Sequence, residues 1–130
     1  ARALAPGLES LFGNVLVDDG IIVGTETKTE DSDALSTTIP VSILDHNGDE
    51  GVTLADGGTV GQIKIVISST NNTVTLTPTT TAGAYSTIAT TDIGACYMLM
   101  WTADGWAVIS RAGGAAAAHN AVGSYPVLAS

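Results

Sequence analysis

The stretch Gly51–Ser110, GVTLADGGTVGQIKIVISSTNNTVTLTPTTTAGAYSTIATTDIGACYMLMWTADGWAVIS, is a series of short apolar runs separated by turn-forming residues. Within it Thr59–Ser69 alternates strictly, with Ile63, Ile65 and Ile67 on one face and Gln62, Lys64, Val66 and Ser68 on the other. That is the two-residue period of a β-strand. Asn71 and Asn72 are expected to turn the chain back into a strand at Thr73–Thr77, which Pro78 ends because proline cannot donate to a ladder. A brief run, Ser86–Ala89, follows. The stretch closes on Tyr97-Met-Leu-Met-Trp-Thr-Ala-Asp-Gly-Trp-Ala-Val-Ile109, where Asp104 and Gly105 stand between two apolar runs. Asp-Gly accepts the positive φ angles of a tight hairpin turn. A two-residue turn there sets Trp101 opposite Val108; a three-residue loop, Ala103–Gly105, slips each pairing by one. In either register Tyr97, Leu99 and Trp101 share one face and Cys96, Met98 and Met100 the other. Both faces are apolar, which places the hairpin at the centre of a sandwich or against an interface.

Working outward, Val52–Leu54 reads as a short strand after the turn-rich loop Asp45–Gly51, and Leu35–Leu44 as a strand that Pro40 confines to an edge or a bulge. Thr25–Glu30 is polar on both faces, as edge strands often are. Val15–Val17 and Ile21–Val23 flank Asp18–Gly20 like a hairpin. Short strands at regular spacing, with almost no helical periodicity, predict an all-β domain over residues 15–111, an antiparallel β-sandwich or jelly roll. Extended arms are expected on either side. In residues 1–14, Leu4, Leu8, Leu11 and Phe12 can line one face of a short helix after Pro6. Residues 112–130 are a small-residue linker and an arm carrying Tyr125, Val127 and Leu128. Apolar arms without a sheet of their own need a partner, so these seven residues are the expected interface.

Composition narrows function. The 130 residues suit one domain, and charged residues make up only 13 %, about half the share of about 25 % in ordinary soluble domains. Part of the surface is therefore expected to be buried against other subunits. Thirteen acidic against four basic side chains give a net charge of −9, which opposes binding to nucleic acid or to an anionic membrane. Cys96 is the only cysteine, so an internal disulfide and a multi-cysteine zinc site are excluded, and its place in a strand suggests a buried, inert thiol.

Candidate chemistry is sparse. His46 and His119 fall in polar loops and are expected in solvent, and no serine or cysteine stands in a nucleophile-elbow pattern. Asp45, Asn47, Asp49 and Asp56 match positions one, three, five and twelve of a calcium loop, but Glu50 occupies the sixth position, where the turn needs glycine. An Asx-rich turn is the better reading. No catalytic, cofactor or metal site is expected, and the chain reads as a non-enzyme.

The runs VTLADGGTVGQIKIVI and TVTLTPTTTAG, then Ile93-Gly94 and YMLMWTADGWAVIS, resemble a theme repeated in phage virion proteins. The sequence is most similar to small capsid decoration (cement) proteins of tailed phages, including marine and cyanobacterial ones, over about Ile39–Ser110. The resemblance implies a β-sandwich that forms homotrimers and binds over junctions of the major capsid protein, on the outer surface of a virion built in the host cytoplasm. It supplies no active-site residues. The rival reading is a tail-fibre or other appendage module that binds a receptor or glycan, with Trp106, Tyr85 or Tyr125 as a stacking surface.

Overall fold

The computed structural model describes residues 22–113. Among them are nine strands and no helix: β1 (Thr25–Lys28), β2 (Asp33–Leu35), β3 (Val41–Leu44), β4 (Glu50–Leu54), β5 (Ile63–Ser68), β6 (Val74–Pro78), β7 (Ile88–Thr90), β8 (Cys96–Thr102) and β9 (Gly105–Ala112). They form a five-stranded sheet, β1-β3-β5-β8-β9, and a four-stranded sheet, β2-β4-β6-β7. The expected all-β sandwich is present. The expected arms, with Leu4, Leu8, Leu11, Phe12, Tyr125, Val127 and Leu128, and the hairpin around Asp18–Gly20 lie outside the described residues.

The strand pairing corrects the antiparallel expectation. From β1 to β6 the chain alternates between the two sheets, and each strand pairs in parallel with the one two places on: β1 with β3, β3 with β5, β2 with β4, β4 with β6. Only β7, β8 and β9 join antiparallel. The first part of the domain is a flattened parallel coil and the last part an antiparallel cap, so the jelly roll, which needs antiparallel Greek-key connections, does not describe these strands.

The coil carries a repeat. Val41 pairs with Ile65 in one sheet and Glu50 with Val74 in the other, the same 24-residue offset in both. The segments after β3 and β5 are therefore stacked arches that cross between sheets, not hairpins. Asn71 and Asn72 mark the second arch, where a hairpin was expected. Likewise, the run Leu35–Leu44 is divided: Leu35 ends β2 in one sheet, Val41 begins β3 in the other, and Pro40 lies in the crossing. A proline that cannot join a ladder is tolerated there.

The core lies between the sheets. Leu44, Val66, Tyr97, Leu99 and Trp106 of the larger sheet meet Leu35, Val52, Leu54, Val74, Leu76 and Ile88 of the smaller one. The closing hairpin turns earlier than either expected register, with Trp101 one pairing step short of the three-residue loop and two short of the Asp104–Gly105 turn: Thr102 pairs with Gly105 and Trp101 with Trp106, leaving Ala103 and Asp104 as the loop. The two indole rings meet edge to face, 5.4 Å between centroids at 62°. Gly105 has φ +124°, and a Cβ there would stand 2.9 Å from the backbone of Thr80 and Thr81. Positive φ and backbone crowding both call for glycine here.

The alternation of β5 leaves its orientation open, and the structure decides it. Its isoleucine face is the outer one, only partly buried, while Lys64, Val66 and Ser68 point inward at 1 %, 0 % and 2 % exposure. Residues paired across a ladder share a face, and Val66 is paired with Tyr97 and Lys64 with Leu99. The two large cap side chains fill the core, so their partners must point the same way. A one-residue slip would reverse every side chain of the strand.

Lys64 tolerates burial because its three N–H donors are matched. Its Nζ donates to Ser36 O at 2.7 Å and Ile39 O at 2.8 Å, and reaches Glu26 Oε2 at 3.4 Å. Burial pushes the Lys64 pKa down, and the Glu26 carboxylate only partly offsets this. Glu26 Oε2 also accepts from Ser42 Oγ at 2.5 Å and Ser36 N at 2.8 Å. Burial pushes the Glu26 pKa up, but these bonds and the Lys64 and Lys28 charges together hold it below its ordinary 4.5. A carboxylate depressed in the folded state stabilises above its unfolded pKa, and that stability is lost as pH falls through the folded value. Urea midpoints are therefore expected to fall on acidification below about pH 4.5, and Glu26→Gln to flatten this limb; parallel curves for the two proteins would remove Glu26 from the acid transition.

Candidate interaction surface

The outer face of the five-stranded sheet is the candidate site. Reading across the ladder, it presents Thr25 and Thr27 on β1, Val41 and Ile43 on β3, Ile63, Ile65 and Ile67 on β5, and Met100, Met98 and Cys96 on β8. Ala107 continues the row on β9. None of these is charged, on a chain with net charge −9. The charged residues of β1, β5 and β9, namely Glu26, Lys28, Lys64 and Arg111, stand on the other side of their strands. Val41 pairs with Ile65, Ile43 with Ile67 and Ile65 with Met98, so β-branched and thioether side chains lie side by side and shield one another. Each is only partly buried.

The apolar part of this surface, on β3, β5 and β8, is roughly 14 Å wide and 16 Å high from strand spacing and rise, on the order of 230 Å². Its claim to be a contact surface rests on its lack of charge and on the contiguity of its apolar side chains, not on its size. Its chemistry is apolar contact with a matching surface, without ionic steering.

The motifs weighed as chemistry are built into the scaffold. Asp45–Asp49 forms the arch after β3 and stacks on the arch after β5: Asp49 Oδ1 accepts from Thr73 N at 2.8 Å, and Asn72 Nδ2 donates to His46 O at 3.0 Å. In the preceding turn Asp31 Oδ1 accepts from Gly51 N at 3.0 Å and Asp33 Oδ2 from Glu30 N at 3.1 Å. These aspartates cap backbone N–H groups, as Asx turns do. No group of three or more His, Cys, Asp or Glu suited to a metal occurs among the described residues. His46 is 1 % exposed rather than in solvent, with Nε2 2.9 Å from Glu30 O. The stacked arches enclose it, which its polar neighbours in sequence concealed. His119 lies outside the described residues. Cys96 is half-buried on the outer face, not inside, because it alternates with Tyr97.

The stacking residues proposed for a glycan fare differently. Trp106 is 0 % exposed, with Nε1 donating to Ala55 O at 2.9 Å, so it offers no platform. Tyr85 donates its hydroxyl to Trp106 O at 2.6 Å, and burial raises its pKa. It borders an open hollow of about 330 Å³ with Ile88, Val108 and Arg111. Tyr125 lies outside the described residues. Sequence reading set the isoleucines on one face of the strand without deciding which face is buried, so it did not find the outer face. The signal was the lysine alternating with them, whose burial only the pairing with Tyr97 and Leu99 explains.

Comparison with family models finds no match, and comparison with curated proteins finds none either.

Proposed function

We propose that this chain is a non-enzymatic structural protein of a virion, a capsid decoration protein that covers junctions of the major capsid protein on the outer shell, as a homotrimer. The observation that carries the reading is the uncharged apolar outer face of the five-stranded sheet, a surface built for contact rather than turnover. The aspartate-rich turns support it by acting as backbone caps, and the resemblance of Ile39–Ser110 to decoration proteins supplies the setting. Each docked copy buries apolar area across subunit boundaries and raises the barrier to shell rupture.

The test is to strip shells of the protein and add it back. Restored shells are expected to carry the chain in fixed proportion to the major shell protein and to survive heating that opens bare ones. Ile65→Asp, which puts a charge at the centre of the face, should bind at least tenfold more weakly, the equivalent of about 1.4 kcal/mol. Equal heat resistance with and without the chain would sink the proposal.

A further inference from the structure

We propose that the open side of the sandwich, along the free edge of β9, takes an extended segment of another protein as an added strand, with an apolar residue beside Val108 and an acidic one on Arg111. Its use is independent of the decoration reading.

The chain itself shows that this edge accepts a strand. Trp106 turns its backbone away from β8: its N–H donates to Thr80 O at 3.0 Å and its carbonyl accepts from Ala82 N at 2.9 Å, with Thr81 bridged to it in parallel. In an antiparallel ladder every second residue faces outward in this way. That assigns the same direction to Val108 and, past the register shift between Leu99 and Met98, to Arg111. Among the described residues neither makes a backbone bond outside the β8 ladder. The connection from β6 leaves the edge at Gly83, whose φ is +113°. Beyond it, roughly 10 Å of β9 from Val108 to Arg111 runs without a neighbouring strand, at the end of its sheet. Unpaired N–H and C=O groups at strand spacing are a template for an extended peptide.

The hollow of about 330 Å³ lies beside this stretch, with Ala82, Ala84, Tyr85 and Ile88 lining it together with Val108 and Arg111. Tyr85 is held by its hydroxyl bond to Trp106 O, so that wall is in place before a ligand arrives. The apolar part suits one side chain of an added strand, and the two-residue period brings the next on that face to Arg111. Charge selects the partner. Lys28 and Lys64 both pair with Glu26, whereas no carboxylate pairs with Arg111 among the described residues. Its Nη2 donates to Ala89 O at 2.9 Å, which uses one of its five N–H donors. A carboxylate is the matching group. A second β9 brings none, because Gly105–Ala112 reads GWAVISRA, so an acidic segment of a different chain fits this edge better than another copy.

The probe is the blocked peptide acetyl-Thr-Val-Thr-Glu-Thr-amide, which sets Val and Glu on one face of a strand. It is added to the isotope-labelled whole chain and followed by amide NMR. Saturable shifts are expected at Gly83, Val108 and Arg111, with amide exchange at Val108 and Arg111 slowed at least threefold. The peptide with Gln in place of Glu should bind about threefold more weakly, the size expected of a solvent-screened pair. Arg111→Gln in the protein, confirmed as folded by far-UV circular dichroism, should erase that difference. Methylating the backbone nitrogen of Val and, separately, of the following Thr removes one donor each. Alternate residues of an added strand face β9, so at least one of these peptides should bind at least tenfold more weakly. No saturable shift at millimolar peptide overturns the proposal. So do equal affinities of the parent and both methylated peptides, which would mean side-chain contact without an added strand. Equal binding of the Glu and Gln peptides overturns the acidic requirement. Slow exchange at Val108 and Arg111 that appears without peptide and grows with protein concentration assigns the edge to a second copy and overturns the proposal as well.

Discussion

Trp106→Ala is expected to destabilise the domain by about 4 kcal/mol, among the largest effects available to one substitution. The indole is 0 % exposed and belongs to the core cluster, so its removal leaves a cavity bounded by both sheets. It is also a junction of the chain. The backbone N–H of Trp106 donates to Thr80 O at 3.0 Å, and its carbonyl accepts from Ala82 N at 2.9 Å and Tyr85 Oη at 2.6 Å. These bonds hold the long connection between β6 and β7 against β9, closing one side of the sandwich. Trp106→Phe keeps most of the apolar volume and loses only the Nε1 bond to Ala55 O. Ala55 is exposed, so water can replace that donor, and the loss should stay near about 1 kcal/mol. Urea unfolding followed by far-UV circular dichroism separates the two variants. For a domain this size, 4 kcal/mol lowers Tm by on the order of 20 °C. A Trp106→Ala protein within about 1 kcal/mol of the original would mean that the two sheets close over the gap.

The sequence carries the strand content of this fold well, because alternation and turn chemistry are local. Ile63–Ser68, Val74–Pro78 and Cys96–Thr102 lie where apolar period and breakers put them, and Thr25–Lys28 is the polar edge strand expected; β4 starts earlier than expected, taking in Glu50 and Gly51 from the loop. Pairing is not local. Asn71 and Asn72 favour a tight change of direction whether the next strand returns beside its predecessor or crosses to another sheet, so an arch and a hairpin look alike. The 24-residue offset between Val41 and Ile65 is hidden for a related reason. Position for position, the second copy exchanges Ser42 for Val66, Leu44 for Ser68 and His46 for Thr70, reversing polarity at the first two, and only the apolar outer pairs Val41/Ile65 and Ile43/Ile67 keep their character. The expected hairpin turn falls too late because Asp-Gly is the stronger local signal. Gly105 instead pairs with Thr102, where positive φ and the backbone of Thr80 and Thr81 both call for glycine.

The candidate surface was the least legible part. A strand reading isoleucine, lysine, isoleucine, valine, isoleucine, serine has its hydrophobic face written plainly, and on local grounds that face goes inside. Cross-strand partners decide otherwise. Tyr97 and Leu99 are buried in the core, their ladder partners Val66 and Lys64 must share that face, and a polar nest around Lys64 satisfies the ammonium that comes with it. Apolar outer positions on β3 and β8 then fall beside Ile65 and Ile67 by ladder geometry, and the patch follows without further coding.

Lys64→Met tests whether that nest fixes the orientation of β5, and the expected loss is about 3 kcal/mol. Methionine fills the space of the lysine stem but leaves Ser36 O and Ile39 O without their donor and Glu26 without its nearest cation. Glu26 retains Lys28 at 3.6 Å and two hydrogen bonds, which keeps the cost below that of a fully stranded charge. The double variant with Glu26→Gln should lose less than the sum of the single losses, since the partner being stranded is no longer charged. Stability is one readout. With Lys64 in place, turning β5 over would bring three isoleucines inward but take Val66 out of the core and break every bond of the nest. With methionine both faces of the strand are apolar and the penalty against the turned register shrinks. Amide exchange should therefore quicken across Ser36–Pro40 and along β5 beyond what the global loss accounts for, and the outer face should bind an apolar dye more variably. A Lys64→Met protein with unchanged stability and unchanged exchange at Ser36–Pro40 would show that Tyr97 and Leu99 alone hold the isoleucines outward.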